Sequence, residues 1–371
     1  MYDTDHDHPA ARDSDERHPR PGDFADGRQV VRALDLDPDP GAPWHRAARL
    51  FPVRWPRPYL ALAASQGPGG PVWRMGRPEP AELDVEPGDL ADPVGEAERS
   101  PVPFVIRKHP DRAVLLVTGR CHFYCRFCFR RATPAGREPN AADLSRAVVY
   151  LAAETALREV ILSGGDPLVW SDGRLATLVR RLAALPHMTH LRVHTRAPVH
   201  YPERITDELI AALASRLTLR IVTHFNHPSE IGAASRQALA LLTGHGIPLL
   251  NQTVLLAGVN DDAGTLAALC RRLSELGVRP YYLHHPDRAP GNAAFRLSIA
   301  RGREIFAELR RRLPAAALPA YVIDLPTGHG KVPVDTLRPL DGGRYQWDDG
   351  QETVTIEEIP AAPSAALAAG R

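Results

Sequence analysis

Three of the four cysteines lie within eight residues, at Cys121, Cys125 and Cys128. A [4Fe–4S] cluster is usually ligated by four cysteine thiolates, so three closely spaced cysteines leave one iron without a protein ligand. That iron is then able to bind a small molecule, which lets the cluster take part in chemistry as well as carry electrons. The spacing therefore predicts an iron–sulfur cluster with one open coordination position.

Other uses of clustered cysteines fit this sequence less well. A disulfide framework needs an oxidising compartment, and the acidic N-terminus lacks the apolar segment of a signal peptide. A structural zinc site takes four ligands, usually in two separated pairs, and His122 adjoins Cys121 too closely to serve as the fourth. Cys270 lies alone in a stretch rich in alanine and leucine, where we expect a buried, unreactive thiol.

Lysine is almost absent, since the 45 basic residues include only Lys108 and Lys331. Arginine supplies surface charge as well as lysine does but cannot form a Schiff base with an aldehyde, so a retained lysine is a candidate for that chemistry. Lys331 follows the apolar run 321–323 within a glycine-rich segment. A single lysine is more often an incidental surface residue, and on the sequence alone both interpretations stay open.

Composition limits the class of protein. With 371 residues, 44% of them hydrophobic, the chain is long enough for one large α/β barrel or two domains. A net charge of +1 with mixed signs predicts no binding to nucleic acid or to an anionic membrane. No apolar stretch approaches the roughly 18–20 residues that span a bilayer, so we expect a cytoplasmic protein.

The same features suggest five regions along the chain. Residues 1–28 are rich in Asp, His, Arg and Pro and predict a disordered tail, in which His6 and His8 are more simply solvated than metal-binding. We expect an N-terminal extension at 29–107, a barrel at 108–313, a C-terminal segment with Lys331 at 314–360 and an alanine-rich tail at 361–371.

Within the barrel region, short apolar or β-branched runs alternate with amphipathic helical patterns. Six such repeats predict an α/β fold with a parallel sheet curved into an incomplete barrel of the (β/α)6 type. The predicted strands are 113–118, 159–163, 191–195, 219–224, 249–256 and 280–284, and the predicted helices are 140–155, 173–185, 202–215, 229–244, 262–276 and 298–313.

Polar residues concentrate where these strands end. Because the carboxyl ends of parallel barrel strands open onto one mouth, we expect these side chains to lie close together. Adjacent glycines also let the backbone approach a ligand closely, although an ordinary strand-to-helix turn contains the same residues. Besides the cysteines, the candidates are Gly164, Gly165, Asp166, the segment 194–196, His224, Asn251, Gln252 and Asp287.

The C-x3-C-x2-C spacing resembles the signature of the radical S-adenosylmethionine (SAM) superfamily. From about residue 57 to residue 340 the chain is similar, more narrowly, to the lysine 2,3-aminomutase family, which couples such a cluster to pyridoxal 5′-phosphate (PLP). Besides the cysteine motif, the similarity covers segments 100–103, 110–112, 163–166, 223–228, 251–256, 258–261, 280–282 and 324–331.

This resemblance implies roles for individual residues. Lys331 matches the lysine that binds PLP, while Lys108 and Arg112 match basic positions near the cofactor phosphate. Gly164, Gly165, Asp166, His224, Asn251 and Gln252 are the remaining cofactor-binding candidates.

Three further residues are implied to bind the substrate. Arg130 matches the arginine that binds the substrate carboxylate, and Asp287 and Asp324 match the acids that receive the ε-ammonium of lysine. Two carboxylates around one cation reduce the cost of burying it. Alternatively, Asp287 pairs with Arg288, and Arg130 or Arg131 contacts the cluster region.

The reaction implied is the conversion of L-lysine to β-lysine. Two related alternatives stay open: the same chemistry on another amino acid such as arginine, and formation of β-lysine for the modification of elongation factor P. A third alternative, of a different class, is a non-catalytic iron–sulfur redox sensor. The resemblance also implies an external electron donor such as flavodoxin or ferredoxin and is compatible with a homo-oligomer. The cysteine-rich C-terminal tail with which well-known lysine enzymes of the family bind zinc is missing, so no zinc site is expected.

Overall fold

The computed structural model describes residues 21–132 and 138–358. The predicted tail segments 1–20, with His6 and His8, and 361–371 lie outside that part of the chain. Helix α1 begins at Gly27, inside the stretch whose composition predicted a tail, because Asp26 and Gln29 form a capping box. The N-terminal helices are α1 Gly27–Ala33, α2 Pro43–Leu50, α3 Arg57–Gln66 and α4 Pro71–Gly76.

Nine strands form one sheet in which consecutive strands are also neighbours in space. Strands β2 to β8 run parallel, and β1 and β9 pair antiparallel at the two edges. A sheet with this strand order forms when each strand–helix unit packs beside the one before it in the sequence. The strands are β1 Val105–Ile106, β2 Arg112–Thr118, β3 Glu159–Gly164, β4 His190–His194, β5 Thr218–Thr223, β6 Leu249–Val254, β7 Val278–His284, β8 Ala320–Leu325 and β9 Gly330–Pro333.

The helices between these strands cover the outer face of the sheet. Most begin at a side chain that accepts a hydrogen bond from the first turn, such as Asn140, Ser171 and Asp262. These helices are α5 Ala141–Ala153, α6 Asp172–Ala183, α7 Ala197–His200, α8 Asp207–Leu213, α9 Ala233–Gly244, α10 Ala263–Glu275 and α11 Ile299–Arg312.

The predicted α/β half-barrel is confirmed, with three differences in detail. The parallel sheet has a seventh strand, β8, which contains the apolar run before Lys331. Helices α8 and α9 begin later than predicted, since residues 202–204 and 228–230 form separate 3-10 turns. A small antiparallel sheet follows β9 and consists of β10 Arg338–Leu340, β11 Arg344–Asp348 and β12 Thr353–Glu357.

The curvature of the sheet brings distant strands together. His194 at the end of β4 interacts electrostatically with Lys331 on β9, five strands away, which a flat sheet does not allow. Alternate residues of each strand point to opposite faces, so Arg192 and His194 share the inner face while Leu191 and Val193 pack outward and are buried. The inner face is polar, as expected of a barrel that holds ligands. Among the described residues no helix is long and apolar enough to cross a membrane.

Candidate active site

The three clustered cysteines lie on the loop that leaves the C-terminal end of β2. Cys128 N donates to Cys125 O at 3.0 Å, which closes a turn between the second and third cysteine. Burial raises the pKa of all three thiols, to about 11 for Cys128, and each of the thiols interacts electrostatically with the other two. Iron binds the thiolate, so assembly of a cluster at Cys121, Cys125 and Cys128 must release protons.

A buried hydrogen-bond network supports the second cysteine. Arg196, two residues after the end of β4, donates from Nη1 to Cys125 Sγ at 2.6 Å and from Nη2 to Glu230 Oε1 at 2.7 Å. Tyr59 of α3 donates its hydroxyl to the same carboxylate oxygen at 2.7 Å. Hydrogen bonds to the sulfur ligands are among the features that set the reduction potential of an iron–sulfur cluster.

A second buried network anchors the same loop to the N-terminal extension. Glu82 accepts hydrogen bonds from Arg126, which lies between the second and third cysteine, and from Arg131. The three side chains are 6%, 1% and 5% exposed. Arg131 also donates to the carbonyl oxygen of Gly291 at 2.7 Å. Arg131 therefore contacts the cysteine loop and the N-terminal extension, rather than lying open to the barrel mouth.

The Gly-Gly-Asp segment after β3 is packed against the start of the cysteine loop. A Cβ at Gly164 or Gly165 would overlap the carbonyl oxygens of Thr118 and Arg120, and Gly164 has a φ of +118°. These two glycines are therefore required by backbone packing, whatever ligand they contact. The buried Asp166 carboxylate accepts from Leu168 N at 3.0 Å and also binds the residues that follow β4, at Thr195 Oγ1 (2.7 Å) and Arg196 N (2.9 Å).

The two amides predicted on β6 differ in their surroundings. Asn251 is buried and uses its whole amide: Oδ1 accepts from Thr223 Oγ1 and Phe225 N, and Nδ2 donates to Phe225 O and Thr253 Oγ1. Gln252 is half-buried and occupies the next position, on the opposite face. Asn251 thus holds β5 and β6 together, whereas Gln252 points to the inner face, where a ligand could reach its amide.

Lys331 lies directly opposite Asp324 in the β8–β9 hairpin. Its Nζ lies 3.3 Å from Oδ1 and 3.2 Å from Oδ2 of that carboxylate, and His284 Nδ1 lies 3.7 Å from Oδ2. Burial opposes ionisation of Asp324, but the Lys331 ammonium and His284 outweigh it and lower its pKa. The lysine is therefore held as an ion pair by one of the two predicted substrate acids.

Asp287, which follows β7, lines the same cavity as Asp324. Burial and the Asp324 carboxylate raise its pKa to about 8, against the opposing effect of the ammonium groups of Lys331 and Lys108. The alternative pairing with Arg288 is not found, because that guanidinium donates to the carbonyl oxygens of Pro87 and Glu357 at 2.6 Å each. The structure brings the two acids together, as the substrate interpretation requires. Four charged residues interact electrostatically with Asp287, namely Asp324, Lys331, Lys108 and Glu96.

The two basic residues predicted near the cofactor phosphate lie in different places. Lys108 donates to the carbonyl oxygen of Val94, and it lines a cavity of about 240 Å³ together with Gly328 of the hairpin loop. Burial lowers the pKa of Lys108, although Asp324 opposes the shift. Arg112 lies at the beginning of β2, at the end of the barrel away from the cysteines, and its guanidinium is 3.1 Å from the exposed Asp111.

Three histidines from different strands share the barrel interior. Within the described residues, Nε2 of His194, His224 and His284 is buried without a hydrogen-bond partner. Burial lowers the pKa of each ring, and the three interact electrostatically with one another. Buried polar atoms are nearly always hydrogen-bonded, so three unpartnered ring nitrogens in one space indicate that a polar ligand belongs there. The sequence identified His194 only as part of the polar segment 194–196, and it did not identify His284.

Arg130 lies at the barrel mouth and forms an ion pair with Glu96 of the N-terminal extension. Burial opposes the charge of the guanidinium, but the Glu96 carboxylate outweighs it and raises the pKa of Arg130. Neither Glu96 nor Glu82 was identified from the sequence, because no spacing rule connects an acid in the extension to the arginines of the cysteine loop.

The three cysteine thiols suit a [4Fe–4S] cluster, and the Lys331 amine suits PLP. Among the described residues, no three His, Cys, Asp or Glu side chains converge on a single metal ion. A cubane cluster needs no such convergence, since each cysteine ligates a different iron. For PLP, the structure offers an accessible primary amine at Lys331 beside an interior with unpartnered imidazole nitrogens.

Similarity to known proteins identifies the superfamily. Residues 115–270 match the Radical SAM superfamily, which implies a [4Fe–4S] cluster and SAM. A radical SAM methyltransferase from Sphaerobacter thermophilus superposes on 59% of this chain and 68% of its own, with a TM-score of 0.41 and 20% identity. Residues 115–270 thus form a radical SAM domain, and their strands belong to the curled α/β half-barrel.

Closer relatives identify the family within this superfamily. L-lysine 2,3-aminomutase of Acetoanaerobium sticklandii is 41% identical over 279 residues, which is 74% of this chain and 67% of the relative. L-lysine 2,3-aminomutase of Escherichia coli is 38% identical over 313 residues, which is 84% of this chain and 91% of the relative. The chain belongs to the lysine 2,3-aminomutase family of isomerases.

Proposed function

We propose that this protein is a SAM- and PLP-dependent 2,3-aminomutase that converts L-lysine to β-lysine. The observation that carries the choice of substrate is that Asp287 and Asp324 line one cavity beside Lys331. Two neighbouring carboxylates favour a cationic side chain, because a bound cation stabilises the ionised form of Asp287, which burial and the Asp324 carboxylate otherwise oppose.

In this proposal the protein binds lysine at both ends. Arg130 receives the α-carboxylate, for which a planar guanidinium is well suited, and Asp287 and Asp324 receive the ε-ammonium. Because both ends of the substrate are fixed, its α- and β-carbons are held in one position. The amino group can then migrate only between these two carbons.

The bound cofactors supply the bond-breaking chemistry. When bound, the cluster with SAM would supply radical chemistry, and PLP would supply an aldehyde and a conjugated ring. Cys121, Cys125 and Cys128 hold the cluster, and Lys331 is the amine that binds PLP. An external reductant such as flavodoxin or ferredoxin supplies the electron.

The protein also prepares the interior for these groups. Because burial lowers the pKa of His194, His224 and His284, their rings are neutral near pH 7 and each offers a nitrogen without adding charge. Without PLP, the Lys331 ammonium pairs with Asp324. When the Lys331 amine holds PLP instead, the ε-ammonium of the substrate replaces it as the cationic partner of Asp324.

An anaerobic assay with reconstituted cluster, SAM and PLP tests the proposal, using L-lysine, L-arginine and the uncharged analogue L-norleucine. Asp324 also contacts Lys331, so Asp287→Asn is the cleaner variant for the substrate contact. Loss of one carboxylate should lower kcat/KM for lysine at least tenfold, about 1.4 kcal/mol or more, without lowering it for norleucine. The control is Asp335→Asn, which removes an exposed acid from a pair 59% exposed on both sides.

Two results would contradict the choice of lysine. One is wild-type turnover of norleucine as efficient as that of lysine, and the other is unchanged lysine turnover in Asp287→Asn. Efficient conversion of arginine instead would retain the reaction but change the substrate.

A further inference from the structure

Glu96 and Arg130 form a two-point contact at the barrel mouth. The Glu96 carboxylate accepts from Arg130 Nε at 3.0 Å and, through its other oxygen, from Nη2. Both side chains are only 20% exposed. A pair of parallel charge-assisted hydrogen bonds fixes the plane of a guanidinium as well as its position, which a single contact does not.

This contact uses one edge of the guanidinium. The remaining corner, Nη1, donates to Ser163 Oγ at 3.4 Å and to the carbonyl oxygen of Gly164 at 3.3 Å, both at the end of β3. Those distances are long for hydrogen bonds, so they hold the corner less firmly than Glu96 holds the opposite edge. Glu96 therefore holds the plane of the Arg130 guanidinium through its Nε–Nη2 edge.

The backbone that carries Glu96 is itself held in place. Gly95 has a φ of +64°, and a Cβ there would overlap the backbone of Gly328 in the Lys331 hairpin. The carbonyl oxygen of Glu96 accepts from Ser100 Oγ at 2.8 Å and from Arg99 N at 3.1 Å. The segment is thus packed between the hairpin and the cysteine loop, and Glu96 has little freedom to move away from its partner.

The charges around Arg130 allow the substrate carboxylate to bind there while Glu96 stays in place. A substrate carboxylate on Arg130 would lie close to Glu96, and two carboxylates on one guanidinium repel each other. Lys108 is near enough to Glu96 to interact with it electrostatically. Lys108 also interacts with Asp324, so it offsets part of this repulsion, and Glu96 can remain beside Arg130 when the substrate carboxylate binds.

We propose that Glu96 is a positioning residue that holds the Arg130 guanidinium in the orientation that receives the α-carboxylate of the substrate. The inference rests on the proposed function, in which Arg130 binds that carboxylate. Without Glu96, the arginine side chain must be ordered during binding, and that entropic cost weakens the affinity for ligands that carry the carboxylate. A residue that merely competes for Arg130 would have the opposite effect.

The test measures equilibrium dissociation constants for L-lysine and for L-lysinamide, in which a neutral amide replaces the carboxylate. The proteins are the PLP-loaded full chain as wild type, Glu96→Gln and Glu98→Gln, an exposed acid two residues away that serves as the matched control. We expect Glu96→Gln to weaken lysine binding at least tenfold and lysinamide binding much less. Glu98→Gln should change neither constant.

A double-mutant cycle shows whether the effect passes through Arg130. In an Arg130→Gln background, the further change Glu96→Gln should have no effect on lysine binding. Tighter lysine binding by Glu96→Gln, unchanged binding, or equal losses for lysine and lysinamide would each overturn the positioning role while leaving the proposed function intact. Wild-type protein that binds PLP but no lysine would overturn the proposed function and this inference together.

Discussion

Replacing Glu82 by glutamine tests whether the N-terminal extension holds the cluster loop. The substitution keeps the shape of the side chain but removes the one negative charge between Arg126 and Arg131. Some acceptors remain, since Arg126 Nη1 also donates to the carbonyl oxygens of Phe51 and Pro52 at 3.1 and 3.0 Å. Two guanidinium groups would nevertheless lie buried without a counterion.

The size of the effect follows from burial. All three side chains are at most 6% exposed, so solvent screens the pair very little. Removing one partner of a buried ion pair costs about 3–5 kcal/mol in the free energy of unfolding. For a chain of 371 residues, with an unfolding entropy of about 2.1 cal/mol/K per residue, that corresponds to a fall in melting temperature of about 4–6 °C.

Thermal unfolding of the cluster-free protein, followed by circular dichroism, measures this directly. The control Glu304→Gln breaks an exposed pair whose side chains are 53% and 67% exposed, and it should shift the melting temperature by no more than about 1 °C. Because Arg126 lies between Cys125 and Cys128, Glu82→Gln should also lose iron to a chelator faster than the wild type. A melting temperature within a degree of the wild type would refute the reasoning.

Three further predictions concern the cofactors and the substrate. Anaerobically reconstituted protein should bind about four irons per chain, and Cys125→Ala should lose them while Cys270→Ala does not; full iron retention in Cys125→Ala would rule out the assignment. Borohydride should fix PLP covalently to the wild type but not to Lys331→Arg, and labelling at Lys108 would identify the other lysine instead. Burial and the neighbouring carboxylate raise the pKa of Asp287 to about 8, so only the ionised form above that value attracts the ε-ammonium. Lysine binding should therefore tighten between about pH 6 and pH 9, and Asp287→Asn should remove that dependence; a wild-type dissociation constant that is flat across the range would contradict this.

The cysteine motif and the barrel were accessible from the sequence because both depend on short spacings. Cys121, Cys125 and Cys128 lie on one loop, so their proximity needs no knowledge of the fold. The six strand–helix repeats follow from hydrophobic periodicity within windows of 5–16 residues. Lys331 stood out by composition, because arginine had replaced lysine almost everywhere else.

Other elements depend on tertiary contacts. The strand β8 was recognised only as an apolar run, since a short buried strand has no alternation that distinguishes it from other buried segments. The four N-terminal helices are only 6 to 10 residues long, and tertiary packing helps to fix them. In α4, for example, Gly76 lies against Trp55 and Phe123. Contacts of this kind join positions that the sequence leaves unconnected.

The use made of each polar residue was likewise decided by the fold. Local sequence placed Asp166 after one strand and Asn251 within another, but only the structure shows that their hydrogen bonds tie neighbouring strands together. It also places Glu96 on Arg130, 34 residues away, and Glu82 on Arg126, 44 residues away. Sequence spacing determines which groups can act together on one loop or one strand. Which carboxylate meets which guanidinium is decided by the folded chain, because a buried charge is tolerated only where packing brings it a partner.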